Sequence, residues 1–295
     1  MTLLDARLYA DLPWPYTGLF LMIGAALGSF FNVLALRWPR WQVHCNDTEA
    51  SFWLKLRGLR APEIEQPSDT RKLMGGRSHC PTCSKPIPLF LNIPILSWLM
   101  LRGRSACCKT PIHIRYLGFE LLGFGIFLGI SLTCGPTAYG LVIGTLLMVL
   151  ALIAVIDLTD SFIPDQLLFV ALLISYGLTF SSTHWMTLEQ TFLWHVGATL
   201  VLLALGGLLR AFFNVDGIGG ADVHLIGLCG ALLGGMPMLY ALVICGLLAK
   251  PCLSLRNRLF PVGAYAQVIG ERGVPLGPIL CSGMIGIVFT QLALA

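Results

Sequence analysis

Apolar runs long enough to cross a bilayer recur along this 295-residue chain from about residue 16 almost to its end, and that repetition constrains the fold more than any other feature. A membrane helix needs roughly 17 to 25 predominantly apolar residues, and lipid offers no water to satisfy an exposed backbone. Only 12% of the residues are charged, about half the share usual for a soluble domain. The expected fold is an all-α polytopic membrane protein with about eight transmembrane helices, near 16–36, 116–133, 138–156, 163–180, 191–213, 223–235, 237–249 and 276–294. Asp5 and Asp11 stand where a secretory signal carries its basic region, so the first run reads as a span rather than a cleaved leader.

Residues 223–249 fit either one long helix or two short ones broken at Gly234-Gly-Met-Pro237. Charge decides between them, because Lys and Arg gather on the cytoplasmic side. Of the 19 basic residues, 13 lie in 37–115. With two short helices Arg210, Lys250, Arg256, Arg258 and Arg272 join them inside, and only Arg7 falls outside. A single long helix would strand the four basic residues of 250–272 outside. The expected organisation is an outside N-terminus with the first span (1–36), a large cytoplasmic loop domain with a cysteine cluster (37–115) and a transmembrane core (116–295), both termini outside.

The loop carries 13 basic against 5 acidic residues, a formal charge of +8, so membrane lipids with anionic headgroups are its nearest partner. No nucleic-acid recognition motif accompanies that charge, which argues against a nucleic-acid role. Phe52, Trp53, Leu56 and Leu59 alternate with Lys55, Arg57 and Arg60, suiting 49–60 to a helix lying on the membrane surface or to an ordinary packed helix. Residues 61–78, with Pro62, Pro67, Gly75 and Gly76, read as linker. Beyond them Cys80-Pro-Thr-Cys83, followed by Cys107 and Cys108, has zinc-ribbon spacing, and clustered thiols in a reducing compartment favour metal over disulfide. A regular second pair would fall at 105 and 108, but position 105 is Ser. Cys80, Cys83 and Cys108 are the firm thiolates, and the fourth place is open to Cys107, Cys45, His79 or His113. Cys134, Cys229, Cys245, Cys252 and Cys281 share no spacing and sit in or beside apolar spans, where free Cys packs as a small hydrophobe.

Carboxylates in membrane segments are costly and mark functional candidates. Glu120 opens the second span; Asp157, Asp160 and Asp165 follow the third in Val155-Ile-Asp-Leu-Thr-Asp-Ser-Phe-Ile-Pro-Asp165; Asp222 ends Asp216-Gly-Ile-Gly-Gly-Ala-Asp222. The charge-derived topology puts Asp157 and Asp222 at helix ends on the same cytoplasmic face, where they can meet. Two adjacent carboxyls share one proton, the arrangement of aspartic proteases. Gly217, Gly219 and Gly220 clear side chains from where a substrate backbone must approach. Taken singly, each motif is equally a helix cap, since Asp is a favoured N-cap. A transporter or membrane scaffold with a zinc-stabilised loop accounts for the composition too, but transport sites form near mid-membrane rather than at one face.

Several stretches together resemble the type IV prepilin peptidase family, the bifunctional leader peptidases and N-methyltransferases of pilus and type II secretion systems. They are Gly28-Ser-Phe-Phe-Asn32, Cys80-Pro-Thr-Cys83, Asn92-Ile-Pro94 with Ser97, Ile114-Arg-Tyr116 leading to Glu120, Asp157 leading to Ile163-Pro-Asp165, and Gly219-Gly-Ala-Asp222-Val-His224. The resemblance implies Asp157 and Asp222 as the catalytic pair and prepilins or pseudopilins as substrates. It also implies S-adenosylmethionine as methyl donor and a multi-pass place in the bacterial cell inner membrane with the active site at the cytoplasmic face. Ser105, Ala221 and His224 depart from the family pattern, His224 standing where many relatives carry Lys.

Overall fold

The computed structural model describes residues 14–60, 80, 82, 83, 85–182, 184–213, 219–259 and 276–294. Among these the regular structure is a 3-10 turn at Leu89–Asn92 and nine α-helices. They are α1 Trp14–Leu56, α2 Leu96–Met100, α3 Ile114–Cys134, α4 Ala138–Asp160, α5 Asp165–Leu178, α6 Leu188–Phe213, α7 Gly220–Leu233, α8 Gly235–Leu259 and α9 Leu276–Leu294. Each expected span has its helix. The linker at 61–78 lies outside the described residues.

Six helices, α1, α3, α4, α6, α8 and α9, are long and apolar enough to cross a membrane. Of the other three, α2 is a five-residue turn, and α5 and α7 have 14 residues each. They rise about 21 Å against roughly 30 Å of hydrocarbon. Their ends therefore need protein rather than lipid around them, and each begins with an acid in its first turn, Asp165 and Asp222.

The break between α7 and α8 falls at Gly234, whose φ of +75° is left-handed and closes α7, its N–H returning to the Gly230 carbonyl at 3.0 Å. Two helices, as the charge argument required, occupy 220–259. The first span differs from expectation, because α1 runs unbroken for 43 residues through Pro39. A surface helix at 49–60 therefore does not exist as a separate element. Arg37 marks where the chain leaves lipid, but charge alone does not end a helix. At about 65 Å, α1 carries its polar second half straight out along the same axis.

Two glycine-mediated contacts shape the core. On α1, Gly24 and Gly28 lie one turn apart against Gly123 of α3; a Cβ on Gly24 would sit 2.6 Å from the Gly123 carbonyl oxygen, and one on Gly28 would strike that of Phe119. Small residues let membrane helices approach backbone to backbone, and α1–α3 is the most extensive pairing in the fold. Helix α4 is the hub, packed on α1, α3, α5 and α9 and buried almost continuously from Leu146 to Ile153. By contrast α6 leans chiefly on α7 and leaves Leu193, Leu200, Val201 and Phe212 exposed, as suits a lipid-facing helix. Cys134, Cys229, Cys245 and Cys281 are buried in this packing, as expected of small hydrophobes.

Replacing Gly28 by Val should force α1 and α3 apart at a cost of about 1–3 kcal/mol. Detergent-solubilised Gly28→Val protein is expected to melt several degrees below wild type; an unchanged Tm would contradict so close a crossing.

Candidate functional site

Asp157 lies one turn before the end of α4 and is 6% exposed. The helix stops at Ser161, φ +54°, whose N–H returns to the Asp157 carbonyl at 2.9 Å. The Asp157 carboxylate accepts a hydrogen bond at 2.9 Å from the N–H of Gly277, second residue of α9. The first N–H groups of a helix have no partner within it, so this contact satisfies a donor and a buried acid together. Glycine is required there, since a Cβ at 277 would stand 2.6 Å from the acceptor oxygen Oδ2.

Asp222 is the third residue of α7, half-buried, its carboxyl folded back over Gly219. Gly219 holds the N-cap position, so Asp222 is not the cap that a bland reading of the motif would make it. Asp157 and Asp222 are close enough for their charges to act on each other. The start of α9 borders both, for Gly277 bonds to Asp157 and its neighbour Leu276 lines with Asp222, Leu242, Cys245 and Leu280 a largely apolar cavity of about 180 Å³.

The other acids divide by role. Asp160 is 5% exposed, accepts from Thr159 Oγ1 at 2.7 Å and feels the charge of Arg115 at the start of α3. It ties α4 to α3. Asp165 is exposed in the first turn of α5, favourably placed for the helix dipole. Glu120 accepts from Ser29 Oγ of α1 at 2.8 Å and from the Ile95 N–H at 2.7 Å. It thereby holds Ile95 at a φ of +64°, costly for a β-branched residue, and docks the loop between α1 and α3 onto that helix pair.

The cysteines come together as a group: the Sγ atoms of Cys80, Cys83, Cys107 and Cys108 all lie within 4.8 Å of one another. Two matching turns build it. Cys80 N–H bonds to Lys85 O at 2.9 Å, and Ser105 N–H to Thr110 O at 2.8 Å, so Ser105 occupies the place that Cys80 holds in the first turn. Cys107 supplies the missing thiol from the other side, 3.2 Å from Cys83 Sγ, while Cys80 and Cys108 approach to 3.4 Å. Zinc bound by four thiolates at 2.3 Å spaces them about 3.8 Å apart, and this soft donor set fits that ion. The hydroxyls of Ser105 and Thr110 and the Cys80 thiol hold Cys108 down at about 5. For Cys83 the Lys85 backbone pulls the pKa down, but the Cys107 thiol, desolvation and the thiols of Cys80 and Cys108 push it up to about 11. Ser105 therefore serves the cluster as a hydrogen-bond donor instead of a ligand. His113 caps α3, accepting from the Arg115 N–H at 3.1 Å, and Cys45 stands outside the group. His79 lies outside the described residues.

Sequence reasoning missed two residues here. Arg256, taken as one cytoplasmic anchor among several, is 1% exposed, donates from Nη1 to Ser161 Oγ at 3.0 Å and acts through its charge on Asp157. Gly277 carried one faint signal, its place before Pro278 at the opening of the last span.

A family model described as the bacterial peptidase A24 N-terminal domain matches residues 22–134, and one described as the type IV leader peptidase family matches 144–253. The prepilin leader peptidase/N-methyltransferase of Aeromonas salmonicida strain A449 is 31% identical over 281 residues, covering 92% of this chain and 94% of the relative. The chain belongs to the type IV leader peptidase family. The enzyme of the same description from Neisseria gonorrhoeae is 31% identical, covering 84% of the chain and 86% of the relative. The type 4 prepilin-like proteins leader peptide-processing enzyme of Escherichia coli O78:H11 is 29% identical, with 91% of each covered. No solved structure matches the chain. The first family model takes in α1 to α3 with the cysteine cluster and Glu120, and the leader peptidase model takes in both Asp157 and Asp222.

Purified protein should carry one zinc per chain, lost in Cys107→Ser. Adding Ser105→Cys to that variant should restore it, because the second turn then regains the ligand position of the first. Elemental analysis checks this; full zinc in Cys107→Ser alone would remove Cys107 from the ligand set.

Proposed function

We propose that this chain is a membrane aspartyl endopeptidase that cleaves the leader peptide of type IV prepilins or pseudopilins, with Asp157 and Asp222 as its catalytic pair. One observation carries the reading: two acids 65 residues apart in sequence converge around the start of α9, one buried and one half-buried. A carboxylate pair sharing one proton supplies a base for the attacking water and an acid for the scissile carbonyl. The apolar cavity beside Asp222 suits a large apolar side chain next to the scissile bond. Relatives named as prepilin leader peptidases support the substrate class.

The exposed Lys250 and Arg258 and the basic loop support a site at the cytoplasmic face of a bacterial inner membrane, since basic residues gather on that side. Zinc in the four-cysteine group would hold the loop's two turns together and takes no part in cleavage. The relatives' names also include N-methyltransferase, which supports methylation of the new N-terminus with S-adenosylmethionine as donor. The cavity at Asp222 does not fit that cofactor, being apolar and smaller than the roughly 300–1,000 Å³ of sites for ligands of such size. Methyl transfer thus has no residues assigned to it. The acids favour a peptidase over a transporter because both lie at helix ends, on one side of the bundle.

Asp157→Asn and Asp222→Asn should each lower prepilin cleavage by at least about 10³-fold while leaving the protein inserted, because members of a catalytic unit are not additive. Asp165→Asn should reduce it only mildly. Leader removal by membranes bearing each variant, followed on gels, tests this; wild-type rates in Asp157→Asn would remove Asp157 from the site. Asp160→Asn should instead lower the Tm, as its neighbour Arg115 is left with a weakened partner at the α3–α4 contact.

A further inference from the structure

Glu120 fixes how deep the loop between α1 and α3 sits. On α3 it lies six residues beyond Ile114, and its partner Ser29 on α1 lies eight residues before Arg37. At 1.5 Å per residue those steps are about 9 Å and about 12 Å, measured inward from the end of α3 and from the first charge on α1. With 21 residues α3 rises about 32 Å, little more than the roughly 30 Å of hydrocarbon. A glutamate side chain with one hydrogen bond added is shorter than either step. The Ile95 N–H, 2.7 Å from the Glu120 carboxylate, is therefore drawn to the edge of the hydrocarbon, and α2 begins there. Lipid tolerates no unmatched backbone, and this segment supplies its own partners. The N–H groups of Ser97, Leu99, Leu101, Arg102 and Gly103 all return to carbonyls within it, at 2.9 to 3.1 Å. Its outward side chains are apolar: Ile93, Leu96, Leu99 and Met100 are exposed, as is Ile114 at the start of α3. Phe30 beside Ser29 and Leu121 beside Glu120 are exposed too, as on any lipid-facing helix. The exposed cations Arg102, Arg104 and Lys109 follow directly.

We propose that residues 93–101, with α2 at their centre, form a re-entrant anchor embedded in lipid at the membrane interface, with Arg102, Arg104 and Lys109 at the anionic headgroups above it. Apolar side chains in acyl chains with cations just beyond them match the layering of a bilayer surface. A protein partner would account for exposed apolar side chains as well, but not for their depth. The anchor also seats the cysteine group. The Trp98 ring packs against Gly103, where a Cβ would stand 2.8 Å from it, and the Gly103 carbonyl accepts from the Ile112 N–H at 2.7 Å. Residues 96–112 thus form one piece, and the four thiols are held close to the bilayer surface. The exposed Phe52 and Trp53 are placed differently, because α1 carries them about 22 Å beyond Arg37 along its axis.

Hydroxyl-radical footprinting of the unsubstituted full-length protein in bilayers of phosphatidylethanolamine and phosphatidylglycerol tests the anchor. The radical forms in water, so lipid shields what it covers. Met100, 72% exposed on the protein surface, should be oxidised at least about tenfold more slowly than Trp53, 54% exposed on the projecting part of α1. Comparable rates would put Met100 in water and overturn the proposal. A photoreactive p-benzoylphenylalanine incorporated at Leu99 then identifies what does the shielding. Irradiated with a prepilin present, that protein should gain the mass of a phospholipid, in a yield at least about tenfold above the same probe at Leu56. A prepilin adduct at Leu99 in place of lipid would make the turn a protein-docking surface and sink the lipid assignment. If the substituted protein fails to accumulate, footprints of the unsubstituted protein with and without prepilin decide the same point. Protection of Met100 in both supports the anchor, and protection only when prepilin is added overturns it.

Discussion

The 2.9 Å hydrogen bond from the Gly277 N–H to the Asp157 carboxylate governs how the two halves of the core meet. A buried acid needs donors, and a helix start has unmatched ones, so α9 docks its first turn on the last turn of α4. The absence of a side chain at 277 is what permits the approach. With Gly277 held on Asp157, Leu276 falls beside Asp222, and the start of α9 borders both acids. The shortness of α7 then matters. At 14 residues it is too short to cross the hydrocarbon alone, and Asp222 stands in its first turn.

Polar contacts of different kinds close the two ends of the bundle. At the end bearing Asp157, Glu120, Asp160 with Arg115, and Arg256 with Ser161 join the helices and the loop through charged groups. At the other end the contacts are neutral. Tyr139 and His184 meet at 3.3 Å, and Trp185 Nε1 donates to the Leu232 carbonyl at 3.0 Å. Burial pushes His184 down to about 4, so it is uncharged at neutral pH and serves as an aromatic partner of Trp185, 4.4 Å between centroids.

The helices and their order were legible because lipid permits so few backbone solutions that hydropathy nearly dictates them. Charge asymmetry correctly divided 220–259 into two helices, with Gly234 as the hinge. It misjudged α1, since Arg37 ends the apolar stretch without supplying any reason for the backbone to turn. Asp157 and Asp222 could be singled out because acids are expensive beside lipid. Arg256 could not, being one of several basic residues with nothing in the sequence to mark which is drawn inward. The thiol cluster was readable as a group, but the choice of Cys107 depended on Ser105 taking the place of Cys80 in a second, matching turn, which spacing alone does not reveal.

The central claim is that this chain removes a prepilin leader, and the mass of the product tests it most directly. Membranes containing the wild-type protein, incubated with a prepilin, should yield a species lighter by the leader, with an added methyl when S-adenosylmethionine is supplied. A prepilin recovered at its full starting mass from membranes in which the protein is inserted and folded would contradict the account.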